Sequence, residues 1–322
     1  MAMDWIDQWF SGAQQWLFES AVQPLLSGLG MGNLLEDGFV ATGWLLVGLL
    51  QLAVMGLFIA PLQRWRPVEP MVDRAAVRTD ILYTLVHRLG LFRVGLFFVV
   101  DPLFDVIFGA LGAHGIRTLH LDQAWPGITD QALVSFLIYL VVFDFADYWI
   151  HRGQHGWRWW WSLHSLHHSQ RQMTLWSDNR NHLLDDLIRD GLLVLLAQAI
   201  GVAPGQFVAL VAITQLSESL HHANVRLWFG RVGERLWVSP RFHRLHHSVG
   251  LGHEARGRGS LGGHNYAVLL PVWDILFGTA NFERRYDATG VRDQIEQGRD
   301  YGRGFWAQQW LGSKRLVGRV QP

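Results

Sequence analysis

The sequence predicts an all-α integral membrane protein in which about four spanning helices, two of them paired as a hairpin, carry a histidine-rich helical cap. Three observations support this fold class. Half of the 322 residues are hydrophobic and only 17% are charged. Several apolar runs are long enough to cross roughly 30 Å of hydrocarbon. Eleven of the sixteen histidines fall between His151 and His247, close to the ends of these runs.

The composition excludes several classes of protein. The formal net charge is zero and no basic stretch stands out, so no nucleic-acid partner is expected. The chain has no cysteine, which excludes disulfides and thiolate metal sites. Seventeen tryptophans, many of them near the ends of apolar runs, suit a membrane–water interface, where amphipathic rings anchor a protein.

Three regions are predicted along the chain. Residues 1–39 mix aromatic and polar side chains and are expected to form an amphipathic interfacial segment, with a soluble cap as the open alternative. Residues 40–290 form the membrane-embedded domain, and residues 291–322 form a C-terminal tail. No cleavable signal peptide is expected, because the first residues carry acids rather than lysine or arginine.

Four apolar stretches are candidate spans. The first covers residues 40–62 and is uncharged. The second, residues 81–111, is interrupted by charged residues and is expected to contain one spanning helix with an extension. The third covers residues 133–150 and leads directly into the first histidine motif. The fourth, residues 187–216, is broken by a glycine- and proline-containing turn at 201–205, which predicts a helical hairpin.

The distribution of arginines predicts the orientation. The loop after the first span is rich in arginine, whereas the stretch from 112 to 130 holds only Arg117. The arginines of that first loop are Arg64, Arg66, Arg74 and Arg78. The positive-inside rule places this loop in the cytoplasm, so the third span delivers His151 to the cytoplasmic side. A hairpin in the fourth region places the later histidines there as well.

The histidines follow spaced motifs. Residues three and four apart on a helix share a face, so HxxxH and HxxHH aim their imidazoles in one direction. Neutral imidazole is the commonest metal ligand among side chains. The three motifs supply eight nitrogens, more than one ion uses, which predicts a two-metal centre. The predicted metal ligands are His151, His155, His164, His167, His168, His182, His221, His222, His243, His246 and His247.

The ligand type narrows the choice of metal without settling it. An all-nitrogen set excludes magnesium and calcium, which prefer oxygen. Iron, zinc, copper and nickel remain. Zinc typically takes three or four protein ligands, which the count exceeds, whereas two irons with four or five nitrogens each would fit. The usual order of divalent affinity favours zinc or copper.

Residues 144–247 resemble the fatty acid hydroxylase/sterol desaturase superfamily. The motifs that carry the resemblance are DYWIHRGQH from Asp147, WSLHSLHHS from Trp161, FHRLHHS from Phe242, and the later WDILFGT from Trp273. The resemblance implies four or so membrane helices under a cytoplasmic histidine cap. It also implies two iron ions that activate O2 to hydroxylate or desaturate a sterol-like or fatty acyl lipid, with zinc as a substitute in a purified sample. His182, His221 and His222 lie where relatives have additional histidines.

The sequence also predicts what surrounds the metals. Asp144 and Asp147 precede His151 by about two turns and one turn, so they are expected to accept ring N–H groups from ligating histidines. No residues beyond the metal ligands are predicted to be catalytic, and isolated histidines such as His87 are expected to have ordinary roles. No haem or flavin fingerprint is present, so an external ferredoxin- or cytochrome-type donor must supply electrons.

Two alternatives to an oxygenase remain open at this point. A zinc-dependent membrane hydrolase would need a carboxylate base, and Glu218 is the only one near the motifs. A histidine-rich metal-handling membrane protein would place histidines or acids within the spans. In this chain the histidines cluster just after the apolar runs end.

Overall fold

A computed structural model describes residues 2–115, 118–249 and 263–319. Within these ranges all regular secondary structure is helical, and extended backbone pairs only at an isolated bridge between Ser248 and Thr289. The predicted all-α class is therefore confirmed for the described residues.

The N-terminal segment is helical and packs onto the residues that follow it. Its elements are α1 (Ala2–Leu17), a π-helical turn (Phe18–Val22) and α2 (Gln23–Gly28). Gln14 Nε2 donates a hydrogen bond to the Phe39 carbonyl at 2.8 Å. The Phe18 ring meets the Phe39 ring edge-on at 5.3 Å. These contacts hold the segment against the first long apolar helix.

The first predicted span lies in one continuous helical run from Gly32 to Trp65. The run contains α3 (Leu35–Val54), a π-helical turn (Met55–Ile59) and α4 (Ala60–Trp65). Its most apolar window has a mean hydropathy of 2.3. Leu57 and Phe58 are exposed, as side chains facing lipid would be. The run therefore has the length and apolarity that the prediction requires.

The second predicted span is divided among three shorter helices. These are α5 (Arg74–Arg88), α6 (Leu91–Val99) and α7 (Asp101–Ala113). Gly90 has a φ of +81°, a left-handed conformation that stops α5 and that glycine adopts without strain. At 1.5 Å per residue, α6 and α7 are about 14 and 20 Å long, so neither crosses a bilayer alone. The expected single helix with an extension is therefore not observed.

The third predicted span is helix α8 (Ala132–Gly156), which has 25 residues. One face is a stripe of exposed apolar side chains that recur every four residues: Leu133, Leu137, Val141, Phe145 and Trp149. The opposite face buries Tyr139 and Phe143 in the core and carries His151 and His155 near the C-terminal end. The helix therefore joins a lipid-compatible surface to the first histidine motif.

The fourth apolar region is the predicted hairpin. Helices α10 (Leu183–Ala199) and α11 (Pro204–His222) are joined by a four-residue turn in which Gly201 has a φ of +69°. His182 immediately precedes α10 and His222 ends α11. The hairpin therefore places His182 and His222 at the same end of the α10–α11 pair.

Two helical runs in the described ranges are long and apolar enough to cross a membrane, against about four predicted spans. They are Gly32–Trp65 and Ala132–Gly156. Helix α10 has 17 residues and carries Asp185, Asp186, Arg189 and Asp190 in its first half, which lowers its hydropathy.

The cap is built from short helices. They are α9 (Arg158–His168), α12 (Gly230–Leu236), α13 (Pro240–His246), α14 (Val272–Leu276), α15 (Arg292–Glu296) and α16 (Phe305–Leu316). Tyr148 of α8 packs with the fully buried Val238, Phe242 and Tyr266. This apolar cluster seats the cap on the end of α8.

Candidate metal centre

The first two histidine motifs meet at the junction of α8 and α9. His151 and His155 lie one turn apart near the end of α8, and His164 and His168 lie on α9. All four rings are buried, and one nitrogen from each lies within 4.8 Å of the others. We call these four residues the first histidine group.

A second histidine group brings together three helices. His167 of α9, His222 of α11, His243 of α13 and His247 beyond α13 are buried, again with one nitrogen from each within 4.8 Å of the others. The Nε2 atoms of His167 and His222, of His222 and His243, and of His243 and His247 are each separated by 3.1 Å. Two nitrogens bound about 2.1 Å from one ion lie about 3.0–3.4 Å apart, so the spacing suits shared metal ligands.

His246 and His168 connect the two groups. His246 lies 4.5 Å from His151 and 4.7 Å from His168 between ring centroids. His168, His246 and His247 also form a third set of three nitrogens within 4.8 Å. The two groups are therefore adjacent. Of the eleven predicted ligands, all except His182 lie in these groups or beside them.

The ring orientations are fixed by hydrogen bonds at Nδ1. His151 Nδ1 lies 2.7 Å from the Tyr266 carbonyl, His246 Nδ1 lies 2.8 Å from the His264 carbonyl, and His222 Nδ1 lies 2.8 Å from the Glu218 carbonyl. A carbonyl oxygen only accepts, so in each case Nδ1 carries the proton. In the neutral ring the Nε2 lone pair is then available to a metal.

Hydrogen bonds alone do not satisfy all the ring nitrogens of the second group. The unprotonated Nε2 of His222 faces both His167 Nε2 and His243 Nε2. Burial lowers the pKa of His167 and of His243 well below the usual value, and neighbouring histidines lower it further. These rings are therefore neutral and keep the lone pairs that metal binding needs. A cation among these nitrogens would satisfy them, so the residues fit a metal ion.

Asp185 supports the first group and was not predicted from the sequence. Its carboxylate accepts hydrogen bonds from His164 Nδ1 at 3.0 Å, Trp160 Nε1 at 2.6 Å and Gln154 Nε2 at 2.8 Å. The Nε2 atom of His164 is buried and has no hydrogen-bond partner among the described residues, which leaves it for a metal. No local motif distinguishes Asp185 from its neighbour Asp186.

Asp144 and Asp147 do not hold ligating histidines, contrary to the sequence-based expectation. Asp144 accepts from the backbone N–H groups of Leu269 and Leu270 and from the indole of Trp273. Asp147 binds the Arg189 guanidinium through two hydrogen bonds of 2.8 and 2.9 Å. Asp144 thus fixes the segment before α14 to the middle of α8.

The segment before α14 shapes the site through Asp274. Its carboxylate accepts from the N–H groups of Tyr266 and Ala267 and from the Thr279 hydroxyl. Asn265, whose φ is +60°, donates to the Phe242 carbonyl. This network presents the Tyr266 carbonyl to His151.

His182 does not join either group. Its Nδ1 accepts from the Leu184 N–H and so caps α10, while its Nε2 lies 2.9 Å from the Gln309 carbonyl and 3.2 Å from Ser313 Oγ of α16. With both nitrogens engaged, the predicted ligand role is not supported. His221 lies beside the second group, 5.9 Å from His243 between ring centroids, with Nε2 buried and without a hydrogen-bond partner among the described residues.

Two adjoining cavities lie beneath the histidines. The polar cavity is lined by His151 and His164 of the first group, by three histidines of the second group, and by His87, which pairs with Asp186 at 3.0 Å. The second cavity, which we call the apolar cavity, lies among α6, α8, α10 and α11. Its apolar lining residues are Leu96, Leu140, Phe143, Leu193, Val194, Phe207, Leu210 and Val211. Its polar and charged lining residues are Arg93, Asp144, Asp147, Arg189, Asp190, Thr214, Gln215 and Glu218. Arg189 and Glu218, 3.2 Å apart, line both cavities and mark their junction.

Comparison with known proteins identifies similar sequences. The family model described as fatty acid hydroxylase matches residues 136–279. The ornithine lipid hydroxylase OlsE of Rhizobium tropici is 30% identical over 284 residues, covering 85% of this chain and 78% of the relative. The human alkylglycerol monooxygenase is 28% identical over 152 residues, and the chain spans 32% of its length. No solved structure matches the chain.

Proposed function

The chain belongs to the fatty acid hydroxylase family, and on this basis we propose that it is a membrane-bound di-iron oxygenase that hydroxylates a carbon of a polar membrane lipid. The observation that carries the proposal is the pair of adjacent all-histidine groups directly beside an apolar cavity. Hydroxylation is favoured over desaturation because similar proteins include a lipid hydroxylase and monooxygenases.

The two histidine groups would each hold one iron ion. Bound iron supplies the ability to reduce O2 with external electrons and to oxidise an unactivated C–H bond. His151, His155, His164 and His168 would hold one ion, and His167, His222, His243 and His247 the other, with His246 beside the first group. The carbonyl and carboxylate partners at Nδ1 keep the rings in the tautomer and orientation that this binding needs.

The apolar cavity would hold the lipid chain. Its aliphatic and aromatic side chains would bind an alkyl chain by apolar burial, at about 0.8 kcal/mol per methylene, while its charged side chains, such as Arg189 and Glu218, lie toward the polar cavity. Arg189 is hydrogen-bonded to Asp147 and lies at the junction of the apolar cavity and the polar cavity. The lipid chain would have to pass Arg189 to bring a carbon near the histidines. The position of this junction would therefore set which carbon reacts.

The substrate class follows from the relatives and the cavity together. One relative, which covers 85% of this chain, is named for ornithine lipid, and another is named for alkylglycerols. Both are polar lipids that carry long chains. We therefore propose a polar membrane lipid as the substrate, with ornithine lipid as the first to test.

The proposed topology places the cap on the cytoplasmic side, with the hairpin α10–α11 entering and leaving the bilayer from that side. The arginine-rich loop between α4 and α5 supports this orientation. An external ferredoxin- or cytochrome-type donor would supply electrons there.

The hydrolase alternative finds less support. Glu218, the only carboxylate base considered from the sequence, pairs with Arg189 at 3.2 Å and is thereby engaged as an ion-pair partner. Neither histidine group contains a carboxylate. A metal-handling role does not account for the apolar cavity that adjoins the histidines.

Lipid mass spectrometry of cells with and without the protein tests the proposal. We expect lipids that gain the mass of one oxygen only when the protein is present. His167→Ala should abolish the product while the protein stays in the membrane, because it removes a ligand of the second group. Undiminished product in that variant, or products that lack two hydrogens instead, would contradict the proposed hydroxylation.

A further inference from the structure

Three tryptophans at the start of α9 form a stack that runs from the surface inward. Trp159 and Trp160 are parallel within 8° at 5.1 Å between ring centroids, and Trp157 and Trp160 within 13° at 5.6 Å. Trp157 and Trp159 are 57% and 46% exposed, whereas Trp160 is 3% exposed. Large exposed aromatic side chains of this kind are typical of protein-binding surfaces.

The buried end of the stack is connected to the first histidine group. Trp160 Nε1 donates to Asp185 Oδ1 at 2.6 Å, and His164 Nδ1 lies 3.0 Å from Asp185 Oδ2. Ring contacts and two hydrogen bonds therefore link the exposed tryptophans to a residue of the candidate metal centre. The Asp185 carboxylate orients His164 for metal binding, but that role does not require the exposed tryptophans.

The exposed part of the stack carries one positive charge. Arg158, between the two exposed tryptophans, is itself exposed. Helix α16 packs on α9 through a hydrogen bond from Arg315 Nε to the Ser162 carbonyl, and Arg315 is buried there, so it adds no charge to the surface. Neither α9 nor α16 contains an aspartate or glutamate. Complementary charge steers association, so this surface suits an acidic protein.

The position of the stack favours a protein over the lipid surface. The exposed apolar stripe of α8 ends at Trp149, and the Arg152 guanidinium lies over that ring at 5.2 Å. This pair has the character of an interfacial anchor at the membrane boundary. Trp157 follows Arg152 by five residues and lies beyond the end of α8.

We propose that Trp157, Arg158 and Trp159 form the docking surface for an acidic one-electron carrier protein, and that Trp160 and Asp185 connect this surface to His164. The inference rests on the proposed function. In the overall reaction R–H + O2 + 2 e⁻ + 2 H⁺ gives R–OH + H2O, the carrier is oxidised by one electron twice per turnover. The protons come from water.

Photocrosslinking tests the docking surface without relying on activity. Trp159→p-benzoylphenylalanine is expressed in the native cells and irradiated, and the adducts are identified by mass spectrometry. We expect an adduct with an acidic protein that carries an iron–sulfur cluster or haem. Trp125→p-benzoylphenylalanine, at an exposed position before the opposite end of α8, serves as the control. Adducts with lipids alone, or only with proteins that lack a redox group, would overturn the proposal.

A second measurement separates this inference from the proposed function. Trp159→Leu should lower hydroxylated lipid in native cells at least tenfold. In membranes that are first reduced with dithionite without O2, freed of the excess and then given O2, its product yield should stay within twofold of wild type. Trp125→Leu should change neither quantity. Equal loss with both sources of electrons would overturn the docking role. Absence of product from the wild type in both settings would instead refute the proposed function.

Discussion

The rings of His168 and His247 stack, with their centroids 4.2 Å apart and their planes 16° apart. His168 belongs to the first histidine group and His247 to the second. The contact therefore lies where the two candidate metal sites meet. Because each group draws on α9, a displacement of this short helix would disturb both sites at once.

The two groups predict separable metal sites. We expect the wild-type protein to bind two metal ions, His164→Ala to lose the ion of the first group, and His243→Ala to lose the ion of the second. Each removes one nitrogen from a set of four. The measurement is metal content per chain by elemental analysis of protein purified in detergent.

His182→Gln is the matched control for these variants. His182 caps α10 and contacts α16, away from both groups, so the variant should retain two ions while unfolding at a lower temperature. Loss of an N-cap costs about 0.5–2 kcal/mol. Loss of a metal ion in this variant would restore the ligand role that the sequence suggested.

Spacing in the sequence revealed the motifs but not how the histidines are grouped. His167 and His168 are adjacent in the chain, yet they join different groups because successive residues on α9 point about 100° apart. Spacing cannot show which face of α9 meets α8 and which meets α11 and α13. The same limit explains Asp185, whose role depends on the packing of α10 against α9.

Asp185 should control metal affinity at the first group alone. Asp185→Ala removes the acceptor that orients His164 and leaves the Trp160 indole without that partner. Loss of such outer partners typically weakens metal binding by about 10–100-fold. Competition with a chelator would measure the affinity of each site.

The neighbouring residue provides the control for that change. Asp186 pairs with His87 rather than with either histidine group. Asp186→Ala should therefore leave both affinities close to wild type. If both aspartate variants weakened the first site equally, a general loosening of α10 would be the better explanation.

The buried histidines predict acid sensitivity of the metal-free protein. The folded-state pKa is lowered well below its usual value for His167 and His243, and to about 4 for His264, chiefly by burial. Below about pH 6.5 the unfolded chain therefore binds protons that the folded chain does not. Each group then lowers the free energy of unfolding by up to about 1.4 kcal/mol per pH unit as the pH falls.

Thermal unfolding of chelator-treated protein between pH 7.5 and 4 checks this expectation. The unfolding temperature should decrease as the pH falls below about 6.5. His264→Gln should make the decrease shallower down to about pH 4, where the contribution of His264 ends. A curve that is flat from pH 7.5 to 5 would contradict the neutral, buried state of these rings.

Filling the apolar cavity should impair lipid binding without removing metal. Val211 of α11 lines the cavity, so Val211→Phe is expected to raise KM for a long-chain lipid or shift the hydroxylated position while two ions remain bound. Overpacking of this kind costs about 1–3 kcal/mol of stability. Product analysis and metal content are measured on the same sample.

Val141→Phe makes the same chemical change on the exposed stripe of α8. It should leave KM, product position and metal content unchanged, because its side chain faces away from the cavity. Identical products from wild type and Val211→Phe would argue that the lipid chain binds elsewhere.

The proposed orientation can be tested with single cysteines, because the chain has none of its own. Ala124→Cys lies before the N-terminal end of α8, and Arg231→Cys lies in α12 of the cap; both positions are exposed. With α8 crossing the bilayer, the two cysteines lie on opposite sides. An impermeant maleimide added to spheroplasts should label position 124 and reach position 231 only after the membrane is opened. Labelling of both positions in sealed spheroplasts would show that α8 does not separate them, and the reversed pattern would place the cap outside.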